Sequence, residues 1–195
     1  NSFNSLTYKW LHSEDYSMLK YSLTHFADFF RGLKNIAELL EGVELPPAIK
    51  IYIDRINGIL REEPLQKMAN TEPHKKFSHR QNLYFGYHLR GRYKTNTFEL
   101  IDIYSRLDAW YSMAVAVKTY QLSFPEFVEQ QTPLVDAKGL YHILLPQPVA
   151  YDLQMNPQHN FLFLTGANMA GKSTLIKALG SAVFLAHIGM GVPAE

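Results

Sequence analysis

From Tyr16 the apolar positions fall at 16, 19, 23, 26, 30, 33, 37 and 40, a 3-4 alternation that predicts one long amphipathic helix. Ser13 or Asp15 can cap its start, and Gly42 can stop it. The spacing also fits a coiled coil, but Tyr and Phe at seam positions suit packing inside a helical bundle better. Pro46 and Pro47 open a second helix with Ile49, Ile53, Ile56 and Leu60 as its buried stripe and Gly58 weakening its end. A short third helix follows from Arg61 to Asn70. Asn96 with Glu99 reads as a capping box for a helix from Phe98 to about Tyr120. Its stripe of Leu100, Ile103, Leu107, Trp110, Ala114 and Val117 has Ile101, Tyr104, Tyr111 and Val115 beside it, which predicts a helix buried between neighbours.

After Pro125 the pattern shortens into apolar runs broken by prolines. Strands are expected at 133–135, 140–145, 149–153 and 161–164. The last run enters a glycine-rich loop, and Thr174 to His187 then returns to helical spacing with Leu175, Ile176, Leu179, Val183 and Ala186 on one side. The expected organisation is α + α/β: a helical domain over 1–122, then an α/β unit over 123–195.

The loop carries the chemistry. Gly166, four residues, then Gly171, Lys172 and Ser173 form a phosphate-binding pattern between a strand and a helix, the context it requires. The glycines permit backbone angles that turn amide N–H groups inward, Lys172 can reach β- and γ-phosphates, and the Ser173 hydroxyl can bind Mg²⁺. The helix N-terminus points its positive end at the same anion.

A second stretch bears on partners. Between Pro73 and Phe98 there is no acidic residue, while Lys75, Lys76, Arg80, Arg90, Arg92 and Lys94 are interleaved with Phe77, Tyr84, Phe85, Tyr87 and Tyr93. Such a segment can bind phosphates and stack on bases. The favoured reading is plainer: an irregular connector with its aromatics on the bundle and its charges in water, because Gly86 and Gly91 interrupt helical spacing. Lys75, Lys76, Arg80 and Arg92 are the candidate DNA contacts if the first reading holds. His74, His79 and His88 lack partners at metal-ligand spacing.

Composition adds limits. A chain of 195 residues with 47% apolar content can bury a core, and 19 basic against 18 acidic residues leaves net charge silent on nucleic acid. Zero cysteines exclude disulfides and thiolate metal sites and suit a reducing cytoplasm. No apolar run reaches the ~20 residues needed to span a bilayer, and the first residues, with Lys9 and His12, do not resemble a signal peptide. The chain begins at Asn1 without Met and stops shortly after the last helix, so it reads as a fragment open at both ends.

Thr165-Gly-Ala-Asn-Met-Ala-Gly-Lys-Ser-Thr174 resembles the Walker A segment of the MutS family of DNA mismatch-repair ATPases, in which Asn-Met inside the loop is distinctive. His187-Ile-Gly-Met-Gly-Val-Pro-Ala194 is similar to the stretch that ends the P-loop helix in that family, Asp152 to Pro157 to the strand and turn ahead of the loop, and Leu107 to Ala114 to the end of the long helix entering the ATPase domain. The resemblance implies an ABC-type ATPase that binds ATP and Mg²⁺, dimerises, and closes on DNA as a clamp. Carried onto this chain, Gly166, Asn168, Met169, Ala170, Gly171, Lys172, Ser173 and Thr174 would hold the nucleotide, with Ser173 on the metal. Ala167 stands where the family usually has Pro, and Pro148-Val149 where many members place an adenine-stacking Phe. The helical part is shorter than the family's full levers and clamp, and nothing resembles its mismatch-reading module.

ATP hydrolysis is not expected of this stretch alone. Phosphoryl transfer also needs a carboxylate for Mg²⁺ and a group that positions water, and only 21 residues follow Thr174. Asp54 and Asp102 end apolar runs but lie in helical patterns before the loop. Another P-loop NTPase, or a helical interaction module with a vestigial loop, are the competing readings.

Overall fold

A computed structural model describes residues 13–195. The chain separates into two compact units, Asn1–Asp108 and Ala109–Glu195.

In the first unit α1 spans Ser13–Leu39, with Glu14 and Asp15 in its first turn where carboxylates oppose the positive end of the helix dipole. It ends in a turn through Gly42, whose φ of +76° a side chain would resist. The 3-4 alternation marks its inner face well: Tyr16, Leu23, Phe30, Leu33 and Ala37 are all buried, together with Ala27. Helix α2 spans Pro47–Leu60, and proline at its first position gives up an amide that has no intrahelical partner anyway. Ile53, Ile56, Ile59 and Leu60 form its buried side. Helix α3, Glu63–Ala69, buries Leu65 and Met68 completely. These residues share one core with Leu100 and Ile103 further along the chain. Each large side chain so enclosed contributes about 1.5–3 kcal/mol relative to exposure. Phe29 meets Tyr104 edge-on with ring centroids 5.7 Å apart, a geometry that sets ring-edge hydrogens against the π-face.

The segment after Pro73 is not the irregular connector that its glycines suggested. Residues His79–Arg90 form a regular helix, α4. Its start is a full capping box: the Gln81 amide donates to Ser78 Oγ at 3.3 Å, and the Ser78 amide donates to Gln81 Oε1 at 2.9 Å. Gly86 does not interrupt the helix because it serves a packing need. A Cβ there would stand 2.8 Å from Leu19 Cδ1, so glycine lets α4 lie close against α1. Gly91 follows as the C-cap.

Helix α5 spans Lys94–Thr119 and so begins four residues before the expected Phe98. The Asn96/Glu99 capping box is not formed. Glu99 instead pairs with Arg55 of α2, where Arg55 Nη2 donates to Oε2 at 2.8 Å. The expected double-sided burial holds only near the start of α5, at Thr97, Leu100 and Ile103; Tyr104, Trp110, Tyr111 and Val115 are exposed.

The second unit contains a two-stranded antiparallel sheet, β1 (Val135–Leu140) and β2 (Tyr151–Met155). Val135 lies opposite Met155 and Ala137 opposite Leu153, but Leu140 opposes Tyr151, so β1 carries one extra residue. Gly139 supplies the turn with φ +60°, and its amide donates to Asp152 Oδ1 at 2.8 Å. Residues 141–145, expected to be strand, leave the ladder after Leu140. Residues 161–164, also expected to be strand, have no ladder partner among the described residues. Apolar alternation does not make a strand without a second backbone to receive its hydrogen bonds.

Helix α6, Lys172–His187, packs on the hairpin through Ala178 and Ala182 against Leu140 and Leu153. The expected stripe is only partly right, since Ile176 is 62% and Val183 38% exposed. The chain then runs beside β1, where the Tyr141 amide donates to Pro193 O at 3.0 Å and the Glu195 amide to Lys138 O at 2.8 Å. Ser123 and Val192 exchange both backbone bonds, at 3.1 and 2.8 Å. Mostly helical with a small sheet, the chain agrees at that level with the expected α + α/β class. No described helix is long and apolar enough to cross a membrane. The signal-peptide reading falls on Lys9 and His12, outside the described residues.

Candidate functional site

The glycine-rich loop occupies residues 165–171 at the start of α6. Three backbone angles shape it: Gly166 at φ +146°, Met169 at +68° and Gly171 at +85°. The two glycines stand where the sequence pattern asks for them. Met169 adopts a left-handed conformation that costs a non-glycine residue about 1–2 kcal/mol, and its side chain is fully exposed. Inside the loop the Ala170 amide donates to Ala167 O at 3.3 Å, and the Leu175 amide donates to Gly171 O at 3.0 Å to begin the helix. Gly171 also meets the hairpin: a Cβ there would lie 3.3 Å from Tyr151 Oη.

Gly171 is the N-cap of α6, and no side chain caps this end. The amides of the first turn, which have no intrahelical acceptor, therefore receive no side-chain substitute, and the positive end of the dipole is uncovered. Lys172 does not extend into solvent. Its Nζ donates to Gly166 O at 2.6 Å and to Ala167 O at 2.7 Å, so the cation folds back across the loop mouth. Ser173 is exposed on the first turn and Thr174 half-buried beside it. Asn168 and Ala170 are exposed on the loop itself. The structure thus gathers Gly166, Asn168, Met169, Ala170, Gly171, Lys172, Ser173 and Thr174 around one helix end. That Lys172 would rest on two loop carbonyls was not readable from spacing.

Metal chemistry has few protein donors. Among the described residues no cluster of three His, Cys, Asp or Glu could hold an ion, and the Ser173 hydroxyl expected to meet a metal is exposed at the helix start. Pro148 is half-buried and Val149 exposed.

In the first unit, the candidate DNA contacts lie along and beside α4. Lys75 and Lys76 are exposed before the capping box, Arg80 is exposed in the first turn, and Arg92 is exposed after the helix with its guanidinium 5.4 Å from the Tyr93 ring centre. Burial, and then a hydrogen bond at 3.1 Å to Glu62 Oε2, raise the Tyr93 phenol above its usual range. The hydrogen bond from Arg55, ahead of its charge, holds the Glu99 carboxyl below the ordinary carboxylate range. Arg90, counted among the basic residues of this stretch but not among its candidate contacts, joins the exposed side of α4; a helical projection of 79–90 would have placed it there.

No protein-family model matches the chain. Curated proteins of one group do. The chain is 32% identical over 101 residues to the DNA-binding protein MutS2 of Pyrococcus furiosus, a match covering 48% of this chain and 18% of that protein. It is 35% identical over 102 residues to human MutS protein homolog 4, covering 50% and 11%, and 30% identical over 108 residues to the DNA mismatch repair protein MutS of Thermotoga maritima, covering 53% and 13%. The chain is MutS-like over about half its length, and the matches span less than a fifth of each of these relatives.

Proposed function

We propose that this chain is the helical and nucleotide-binding part of a MutS-like, DNA-binding ATPase. On this reading residues 1–122 are a core or lever-like helical domain, and 123–195 are the N-terminal part of an ABC-type P-loop domain. The observation that carries it is the uncapped N-terminus of α6 facing a loop with Gly166, Gly171, Lys172 and Ser173 at its rim. These groups fit a polyphosphate: backbone amides and the helix dipole for its charge, and a lysine already at the loop mouth. Asn168, Met169 and Ala170 supply further loop amides, and Thr174 a second hydroxyl on the first turn. Mg²⁺ would be held by Ser173, with phosphate oxygens and water completing its shell, as this ion commonly requires. Bound ATP would supply the free energy of its phosphoanhydride bond to the whole protein. This chain's own residues bind and orient it.

The matched relatives are described as DNA-binding and mismatch-repair proteins. With the loop, those names support a protein that works on DNA; on this reading it is cytoplasmic and acts as a nucleotide-dependent dimer. The carboxylate that completes such a metal site belongs to a strand after the loop helix on this reading, so the isolated chain should bind nucleotide without turning it over.

The test is titration of a fluorescent ATP analogue with Mg²⁺, comparing the chain with Lys172→Ala. A charge-assisted contact of about 1.5–3 kcal/mol predicts weakening of roughly ten- to a hundredfold. Equal binding by both proteins would sink the reading. Steady-state turnover that disappears in Lys172→Ala would show that the catalytic machinery has been misplaced.

A further inference from the structure

Helix α4 buries Asn82, Phe85, Gly86 and Leu89 and turns a different chemistry outward. Arg80, Tyr84 and Tyr87 recur at i, i+4 and i+7, which sets them on one face, and Arg90 follows one turn later. Tyr87 is 78% exposed. Beside it runs an open groove of about 460 Å³ floored by Leu19, Leu83 and Gly86 and edged by Arg90. The groove exists because Gly86 has no side chain and α1 approaches closely there.

The platform is fixed before anything binds. Asn82 Nδ2 donates to Tyr16 Oη at 3.1 Å and to Phe77 O at 3.3 Å, and Phe77 packs edge-on against Phe85 with centroids 5.0 Å apart. A ligand therefore meets a helix whose backbone is already fixed, with the Tyr87 ring edge-on to His88 at 5.5 Å between centroids. The stretch is also predominantly basic. Lys75, Lys76, Arg90 and Arg92 are exposed with no ion-pair partner among the described residues, and no carboxylate occurs between Pro73 and Phe98. Of the acids that flank it, Glu63 of α3 is paired with Lys67 and Glu62 accepts from the Tyr93 hydroxyl at 3.1 Å. By contrast, the groove between α2 and α5 has Asp54 on its wall and Glu99 and Asp102 already ion-paired with Arg55 and Arg106, so it offers a polyanion no unpaired cation.

We propose that this face of α4 is a site for single-stranded DNA, in which an unpaired base stacks on Tyr87 over the Leu19–Gly86 floor while Arg90 and Lys76 contact its flanking phosphates. It rests on the reading of the chain as a DNA-handling protein and adds the form of DNA. An unpaired base presents the ring face that an exposed tyrosine can cover, whereas in a duplex that face is stacked on its neighbours. The floor is apolar and the rim cationic, in the order in which a nucleotide is apolar at its base and anionic at its phosphate.

The experiment uses the full chain and fluorescence anisotropy with a labelled oligothymidylate and a labelled mixed-sequence duplex. Tyr87→Ala should weaken the oligothymidylate about tenfold, and Tyr87→Phe should keep it, since stacking contributes about 1–3 kcal/mol per base. Arg90→Ala should flatten the salt dependence by about 0.7 for each phosphate the protein no longer neutralises. Circular dichroism should show unchanged helicity, because Tyr87 is outside the core. Unchanged oligothymidylate binding in Tyr87→Ala would overturn the proposal and leave the groove to a protein segment. Proportional loss of duplex binding would overturn it too, pointing to a backbone-only surface. If the wild-type chain binds duplex and is indifferent to Tyr87, only this inference fails. If it binds neither DNA, the DNA reading fails with it.

Discussion

Replacing Gly191 by alanine places a methyl carbon 2.8 Å from Leu122 Cβ, 3.3 Å from Val117 Cγ2 and 3.4 Å from the Leu122 carbonyl carbon. Carbon atoms prefer about 3.5–4.0 Å. The nearest of these atoms is bonded directly to the backbone, so no rotamer change removes it. Relief requires the two backbones to separate by several tenths of an ångström, and the Ser123–Val192 bonds at 3.1 and 2.8 Å hold them together. Overpacking of this kind costs about 1–3 kcal/mol, against about 0.4–1 kcal/mol recovered from the less flexible unfolded chain. Gly180→Ala is the control with the opposite sign. Gly180 lies inside α6 with nothing within 4 Å of the added carbon, so alanine should stabilise by about 0.8–1.0 kcal/mol through helix propensity. Urea unfolding followed by Trp110 fluorescence in a Trp10→Phe background reads both. With slopes of about 1–3 kcal/mol per molar, the midpoint should fall on the order of 1 M or less for Gly191→Ala and rise for Gly180→Ala. If both variants raise it, the close approach at Gly191 is not a constraint and the reasoning is wrong.

Two more outcomes rest on local interactions. Ser78→Ala removes the acceptor of the Gln81 amide and should destabilise α4 by about 1 kcal/mol, seen as faster amide exchange at its N-terminal turn, while Ser78→Asp should restore protection. Glu99 has its folded pKa depressed by Arg55, so its stabilising contribution is present above the ordinary carboxylate pKa and disappears as pH falls through the lower folded value. Denaturation midpoints in that acidic window should flatten in Glu99→Gln, and an unchanged pH profile would show that the pair does not couple α2 to α5.

Hydrophobic spacing made α1 readable because its inner side chains repeat along the whole helix, and no single exception displaces the face. It failed on α4, where Gly86 counted as a helix breaker. A glycine costs a helix about 1 kcal/mol, and the contact it permits with Leu19 can offset that. The Ser78 and Gln81 pair was in the sequence and would have announced the helix. Asn96 and Glu99 offered the same spacing, yet Glu99 finds Arg55 of another helix, a partner no local rule names. Residues 161–164 failed for another reason, since strand structure belongs to a pair of backbones and a single run cannot declare it. At the loop, the positive-φ glycines were legible from their steric role, whereas the left-handed Met169 and the inward Lys172 depend on the folded surroundings.

The folded-back Lys172 has a consequence for measured affinity. Its ammonium must leave the Gly166 and Ala167 carbonyls before an anion can take it. Binding therefore samples only the fraction of molecules in which the lysine is released, and the apparent dissociation constant is the intrinsic one divided by that fraction. A closed form favoured by about 1.4 kcal/mol would leave roughly one molecule in ten competent. A partner that drew the lysine outward would then tighten nucleotide binding about tenfold without touching the nucleotide.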